Sequence, residues 1–449
     1  MALIGQSHKI VTFEGKRSGT FDKAEPGYVF IGATLAYNPH DITATLERNG
    51  TSFSTHGRTG NQRAMLDGIE SLGFGNELHD AIVVSKDSAA PSAIAAPLVA
   101  DIQANVKSAL TSGSRFIADA ASARVRAAFD GVVIKPQQSE AAGNGAAQRL
   151  AFGPEMGKPE GSAAFDLMNT GSLPDATTMA LWGQAYGNWS HVTGDGNAAG
   201  YSGSTGGFVT GFDGVVADSW RLGILAAHGD TSLQSAGNKA SIDSYQIGIY
   251  GGTQFDALGL RFGANIARHE IDSKRNARFG EASNTHRASY DAQSVQLFGE
   301  VGYRIDRPYA TFEPFAAASY VHLRSSGFTE DGAISNLTGM AGSTDVETTV
   351  LGLRVSHDFA ISESMTLTAR GMVGWSHTFG DTTPEQRLSF RGGREFTAQG
   401  VATARNIALV EAGVDVNIGR NTSVGISYTG QFSPDAKDNS IKADLSVQF

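Results

Sequence analysis

Residues 258–271 read Leu-Gly-Leu-Arg-Phe-Gly-Ala-Asn-Ile-Ala-Arg-His-Glu-Ile, and their alternation decides the fold. Leu260, Phe262, Ala264 and Ile266 share one face of an extended chain, while Arg261, Gly263, Asn265 and Ala267 share the other. Successive side chains of a β-strand point to opposite sides, so one face is apolar and the other carries charge and glycine. The same pattern returns downstream. Val295, Leu297, Val301 and Tyr303 oppose Gln296, Glu300 and Arg304; Leu367, Ala369, Gly371 and Val373 oppose Thr368, Arg370 and Met372; Ala412, Val414, Val416 and Ile418 oppose Glu411, Gly413, Asp415 and Asn417. A soluble sandwich alternates too, but its strands average about 5 to 6 residues. Crossing a bilayer at a tilt takes about 9 to 11 residues per strand, which these segments reach.

From Met179 to Phe449 twelve such segments follow one another, at 179–192, 205–217, 220–233, 240–255, 258–271, 288–305, 308–324, 346–359, 365–379, 405–419, 422–432 and 440–449. Their connections alternate in length. Tight turns fall at Asp218-Ser219, Asp256-Ala257, Asp306-Arg307, Ala360 to Ser364 and Arg420-Asn421, with longer loops at Thr193 to Ser204, Asp272 to Arg287, Ser325 to Asp345 and Gly380 to Ala404. Short turns on one rim and long loops on the other, around an even strand number, describe an outer-membrane barrel. Closure follows because no backbone group can stay unpaired in lipid.

The expected fold is therefore all-β, a 12-stranded antiparallel transmembrane barrel over 179–449, with Arg261, Glu300, Arg304, Glu313, Arg354, Arg370, Glu411 and Asp415 facing the lumen. In a soluble sheet the same charges would face solvent. Trp182, Trp189, Trp220, Tyr303, Tyr309, Tyr320, Trp375 and Phe379 lie near strand ends, as interfacial girdles or core aromatics.

Upstream the pattern changes. Residues 1–58 hold short β segments, among them Tyr28 to Ile31, Ala33 to Tyr37 and Ile42 to Leu46. Residues 59–131 turn helical, with Met65, Ile69 and Leu72 and then Ile94, Leu98, Ile102, Val106 and Leu110 at helical spacing, and Ser114 placed to cap a last helix through Phe129. Residues 132–178, rich in Ala, Gly, Gln and Pro, read as a linker.

Composition narrows the function. Among 449 residues, 45 acidic side chains outnumber 35 basic ones, which argues against nucleic acid as a partner. There is no cysteine, hence no disulfide or thiolate metal site. No apolar run reaches the roughly 20 residues of a membrane helix. Met1 to Ser18 lacks the pattern of a secretory signal, so the reading expects either a cytoplasmic protein or a start further upstream.

Several ordered motifs carry a family resemblance. Trp182-Gly183-Gln184-Ala185-Tyr186-Gly187-Asn188-Trp189, Gly194-Asp195-Gly196-Asn197-Ala198, Ser204-Thr205-Gly206-Gly207-Phe208, Tyr245 to Gly251, Phe298-Gly299-Glu300-Val301-Gly302-Tyr303 and Phe312-Glu313-Pro314-Phe315 follow one another, and the sequence given ends on an aromatic. Upstream stand Thr59 to Ala64 and Gly75 to Ala81. The set resembles the C-terminal part of a monomeric (type V) autotransporter. The resemblance implies an outer-membrane translocator β-domain that anchors itself and exports an N-terminal passenger to the cell surface. It makes Leu35 to Tyr37 and Leu46 to Asn49 the last rungs of a β-helical passenger, 59–131 a helical junction, and a segment within 161–178 the pore plug, although Pro174 blocks a long helix there. It also implies outer-membrane lipid, the barrel-assembly machinery and periplasmic chaperones as partners, and makes Leu445, Val447 and Phe449 the assembly signal. No Asn-Asn pair occurs, so the motif for self-cleavage inside the pore that some members carry is missing.

No catalytic residue, cofactor or metal is assigned. His228, Asp230 and Ser232 are the nearest approach to a hydrolase constellation, and Gly194 to Asn197 suits a hairpin turn. A porin-like channel and, further off, an outer-membrane hydrolase stand as alternatives to the translocator.

Overall fold

In the computed structural model the described residues are 3–129, 179–216, 219–279, 282–332, 334–418 and 421–449. The alternating segments pair with their neighbours in chain order: β4 (Met179–Val192), β5 (Tyr201–Val216), β6 (Trp220–Ser235), β7 (Asn238–Phe255), β8 (Leu258–Phe279) and β9 (Ala282–Tyr303), continued by the short β10 (Ile305–Arg307). Then come β11 (Ala310–Ser325), β14 (Gly342–Ser362), β15 (Met365–Gly380), β18 (Asn406–Ile418), β19 (Thr422–Phe432) and β20 (Ala436–Gln448). β20 pairs with β4 from Ala436 opposite Val192 to Gln448 opposite Ala180, and β9 pairs with β11, closing a 12-stranded antiparallel barrel. Backbone bonds between Met179 and Phe449 put both ends of the barrel sequence on the short-turn rim.

The outer face is apolar. Ile224, Ile247, Ile249 and Leu297 are all more than half exposed, at 63%, 60%, 64% and 52%, as lipid-facing side chains should be. The interior is lined by polar groups and by aromatics that lie over glycines of the next strand. A Cβ on Gly211 would come within 2.6 Å of the Trp182 ring, and one on Gly207 within 2.5 Å of the Tyr186 hydroxyl, so these positions exclude any side chain.

Two long loops fold rather than trail. β12 (Phe328–Thr329), β13 (Leu337–Gly339), β16 (Glu385–Phe390) and β17 (Glu395–Gln399) make a separate four-stranded sheet above the long-loop rim. The loop expected over Asp272 to Arg287 is instead the tip of a hairpin, since β8 and β9 each run for 22 residues whereas β19 has 11. Its inner face is buried and mixes polar Ser273, Arg275 and His286 with Ala277 and Phe279. Arg275 is held by Glu330 (Nε to Oε1 2.9 Å, Nη2 to Oε2 2.5 Å) and by the Ser335 and Leu98 carbonyls. An alternation rule that seeks an apolar face misses such a strand.

The N-terminal unit seats on that sheet. β1 (Ser7–Thr12), β2 (Ile31–Tyr37) and β3 (Asp41–Arg48) form an antiparallel sheet in the order β1-β3-β2. Residues 31–48 are thus a hairpin, not the parallel rungs of a β-helix. α1 (Gly60–Glu70), α2 (Glu77–Val83) and α3 (Ala90–Ala95) follow, and Phe53, Met65, Leu66, Ile69, Ile82 and Leu98 share one core with Leu337, Leu388, Phe390 and Phe396 of the loop sheet. Thr59 caps α1 by accepting the Gln62 N–H. The continuous face expected from Ile94 to Leu110 is broken by a short turn at Ala96–Leu98, where Pro97 cannot continue a helix, before α4 (Asp101–Gly113) begins. α5 (Arg115–Phe129) comes next. Ser114 does not cap it with its side chain; its hydroxyl turns back to the Thr111 carbonyl. The linker 132–178, the plug expected within 161–178 and the turn residues Asp218 and Arg420 lie outside the described residues.

Candidate functional site

The lumen is occupied by α5. Its 15 residues span about 22 Å at 1.5 Å each, close to the height of the apolar band, about 25 Å. Arg115, at its start, reaches Asp438 at the long-loop end of β20 (2.5 Å), and Arg124, near its finish, reaches Asp213 at the short-turn end of β5 (2.7 Å). The helix therefore runs down the pore from one rim toward the other. Every charged residue on it finds a partner in the wall, including Asp119 with Lys442 (3.3 Å) and Arg126 with Glu300 (3.5 Å). Its apolar side, Phe116, Ile117, Ala120, Ala121 and Val125, packs on Trp182, Tyr186, Val209, Leu225, Tyr250 and Phe298, with Phe116 stacked on Tyr186 at 4.5 Å.

Asp213 is the firmest anchor. It is fully buried and accepts from Arg124 Nε and Nη2 (2.7 and 2.9 Å), from Arg221, and from the Tyr250 hydroxyl (2.6 Å), which itself accepts from Trp182 Nε1 (2.5 Å). A carboxylate out of water is tolerable only with its oxygens satisfied by charged donors, and this one has two arginines.

The charges expected in the lumen fall into groups. Arg261 bridges Glu300 (2.7 Å) and Glu313 (3.0 Å), and Arg354 bridges the same two (2.5 and 2.7 Å) while lying over the Phe315 ring at 3.6 Å. Arg126 of α5 joins this cluster through Glu300. Arg370 gathers Glu411 (2.6 Å), Asp415 (2.7 Å) and Asp444 (3.5 Å) on the facing wall. Arg304 sits between β9 and β10 at the short-turn rim, where its Nε donates to Asp306 (2.9 Å). Between α5 and the β11–β19 wall a cavity of about 640 Å³ remains, lined among others by Arg354, Arg370, Glu411 and Lys442. Sequence reasoning passed over Arg124, Asp213, Arg221 and Tyr250. Asp213 and Arg221 each carry a signal, as the lone charge on the inward side of β5 and of β6.

α4 closes the mouth. Gln103 donates to Ser273, Lys107 Nζ to the Glu385 carbonyl (2.6 Å), and Asn105 Oδ1 accepts the Val401 N–H (2.8 Å). Asp101, at its first turn, accepts the Ala199 N–H (2.7 Å). Burial pushes the Asp101 carboxyl above the usual carboxylate range and the Lys107 ammonium below the usual lysine range, because each ion has lost water. The turn at Gly194 to Asn197 is held by Asp195 Oδ1 accepting the Asn197 and Ala198 N–H groups, and Asn197 docks on Asn61 of α1.

His228, Asp230 and Ser232 point outward from β6; His228 lies between the Phe208 and Tyr245 rings, and among the described residues no hydrogen bond joins the three. That arrangement lacks the relay a hydrolytic triad requires.

A closed barrel with a charged bore, filled along one side by a helix leading to a folded unit on the far rim, defines an outer-membrane translocator. A sequence model of the autotransporter beta-domain matches residues 181–429, more than half of the chain, and the chain belongs to that family. Two extracellular serine proteases of Serratia marcescens are each 29% identical to it, over 463 and 492 residues, covering 100% of this chain and 43% of their own length. The chain thus spans under half the length of these relatives. The translocator domain of the autotransporter NalP from Neisseria meningitidis shares the fold, with a TM-score of 0.51 at 15% identity over 64% of this chain and 92% of that one. The barrel is placed in the outer membrane with its passenger side at the cell surface.

Proposed function

We propose that this chain delivers the polypeptide ahead of it through its own bore and then holds that polypeptide at the surface, with α5 left in the pore as the tether. The observation that carries the reading is the course of α5. The barrel sequence begins and ends on the short-turn rim, which faces the periplasm, yet residues 3–113 sit on the opposite rim. A chain with both barrel ends inside and its N-terminal part outside has to pass through the pore. The porin alternative needs an unblocked lumen, and α5 lies along it. A Sec signal and an epitope tag fused ahead of Met1 should place the tag outside, open to antibody and protease in intact cells. A tag reached only after the outer membrane is permeabilised, with the barrel assembled, would refute export.

The barrel performs no covalent chemistry in this reading. The passenger carries the activity, and the names of the Serratia relatives suggest a secreted serine protease as its class. Barrel-assembly machinery and periplasmic chaperones are the partners proposed for insertion, with Leu445, Val447 and Phe449 as the recognised end of β20. Phe449 exchanges backbone bonds with Met179 and sets its ring 6.2 Å from Phe212, so it also fastens the closing seam. Deleting it should lower assembled barrel several-fold while synthesis holds. Equal assembly would reduce it to the plain end of a strand.

A further inference from the structure

On the tall side of the barrel, β6 to β9, charged side chains face outward in rows. Cross-strand pairing sets Lys239 opposite Lys274 and Lys274 opposite Arg287. All three are exposed, and no ion pair reaches any of them among the described residues. Adjacent strands lie about 4.8 Å apart, so three like charges share a strip about 10 Å wide. Like charges directly opposite repel; the nearest carboxylates are Asp272, two residues from Lys274 on the same face of β8, and Asp331, which accepts the Arg287 N–H at 2.6 Å, and neither makes an ion pair with the three. Nearer the membrane a second row runs Asp230, Asp243, Glu270 and Asp291, again directly opposite one another. Arg268 meets it from below, at 3.2 Å from Asp291 and 3.6 Å from Glu270. The last wholly apolar row is Ile247, Ile266 and Val295. At about 3.3 Å per residue and a tilt near 40°, the acidic row stands about 10 Å above it and the basic row about 20 Å above it.

Charge selects the occupant. The basic row is exposed and carries no ion pair among the described residues, so a partner of opposite charge at that level is the one it fits. A polyanion of the outer leaflet whose negative groups stand above the apolar band meets the basic row. We propose that the outer face of β6–β9 binds the acidic, phosphorylated core of the outer-leaflet glycolipid. Lys239, Lys274 and Arg287 hold its anionic groups. The inference rests on the outer-membrane placement of the barrel and is independent of what the barrel exports.

The test uses the full chain in detergent, titrated with core-bearing lipopolysaccharide and with lipid A lacking the saccharide core. Wild type should bind the core-bearing form at least tenfold more tightly than lipid A. Combined Lys239→Glu, Lys274→Glu and Arg287→Glu should abolish that preference, whereas Lys437→Glu, exposed on β20 across the barrel, should change binding less than twofold. Should the reversal variant fail to fold, as judged by loss of heat-dependent gel mobility, the Gln versions at the same positions take its place, with the same loss expected. Equal wild-type affinity for the two lipids, or a folded variant that keeps the preference, overturns the proposal. Loss of heat-dependent mobility in wild type would instead strike at the barrel itself, and so separates the two failures.

Discussion

Asp213 shows how a single carboxylate can hold an element in place. Its partners come from α5 (Arg124), from β6 (Arg221) and from β7 (Tyr250), so removing it frees two buried guanidinium groups at once. Breaking a buried pair by deleting one member typically costs about 3–5 kcal/mol, because the remaining charge is left without compensation. Asp213→Leu should therefore lower the temperature of the heat-dependent mobility shift markedly, and adding Arg124→Met should restore part of the loss, a coupling that a double-mutant cycle measures. A single variant indistinguishable from wild type would mean that α5 is held by its apolar contacts and its other ion pairs without help from Asp213. Arg370 has the inverse arrangement, one cation among three carboxylates, and none of its ion-pair partners comes from α5. The two arrangements share a logic in which charge is buried only where the opposite sign comes from another strand or from the helix.

At the scale of elements, α5 divides the bore unequally. Its small residues Ala120 and Ala121 let it lie close against β4 to β9, leaving the 640 Å³ cavity on the far side. Electrical conductance should accordingly be low in the full chain and rise several-fold when residues 1–178 are removed, and equal values would contradict a helix seated in the pore. Nothing in the sequence of α5 distinguishes it from a helix on a soluble surface, since Phe116, Ile117 and Val125 make the same apolar stripe in either setting. Nearness to the first strand instead makes 161–178 the expected plug. Strand identity was far easier to read, because the period of two at Leu260 to Ala267 is the pattern by which β8 pairs with β7 and β9. The exception, Asp272 to Arg287, has an inner face on which Ser273, Arg275 and His286 interrupt the apolar Ala277 and Phe279, because that face meets Glu330 as well as the core shared with the N-terminal unit.

For the whole molecule, chain order, closure and the two unlike rims could be argued from turn lengths and strand parity alone. Which residues meet across the bore could not, since Arg124 and Asp213, or Asn61 and Gln399, lie far apart in sequence and no periodic rule joins them. The antiparallel pairing of residues 31–48 was equally hidden, because a rung of a parallel helix and an arm of a hairpin carry the same alternation.

The uneven height of the long-loop rim has a mechanical consequence. A wall of 22-residue strands facing one of 11 makes the exit a chute rather than a nozzle. Whatever emerges is walled in on one flank and free on the other, so its first bend leans toward the low side. Its earliest folding then proceeds with one surface already shaded from the crowd of neighbouring molecules.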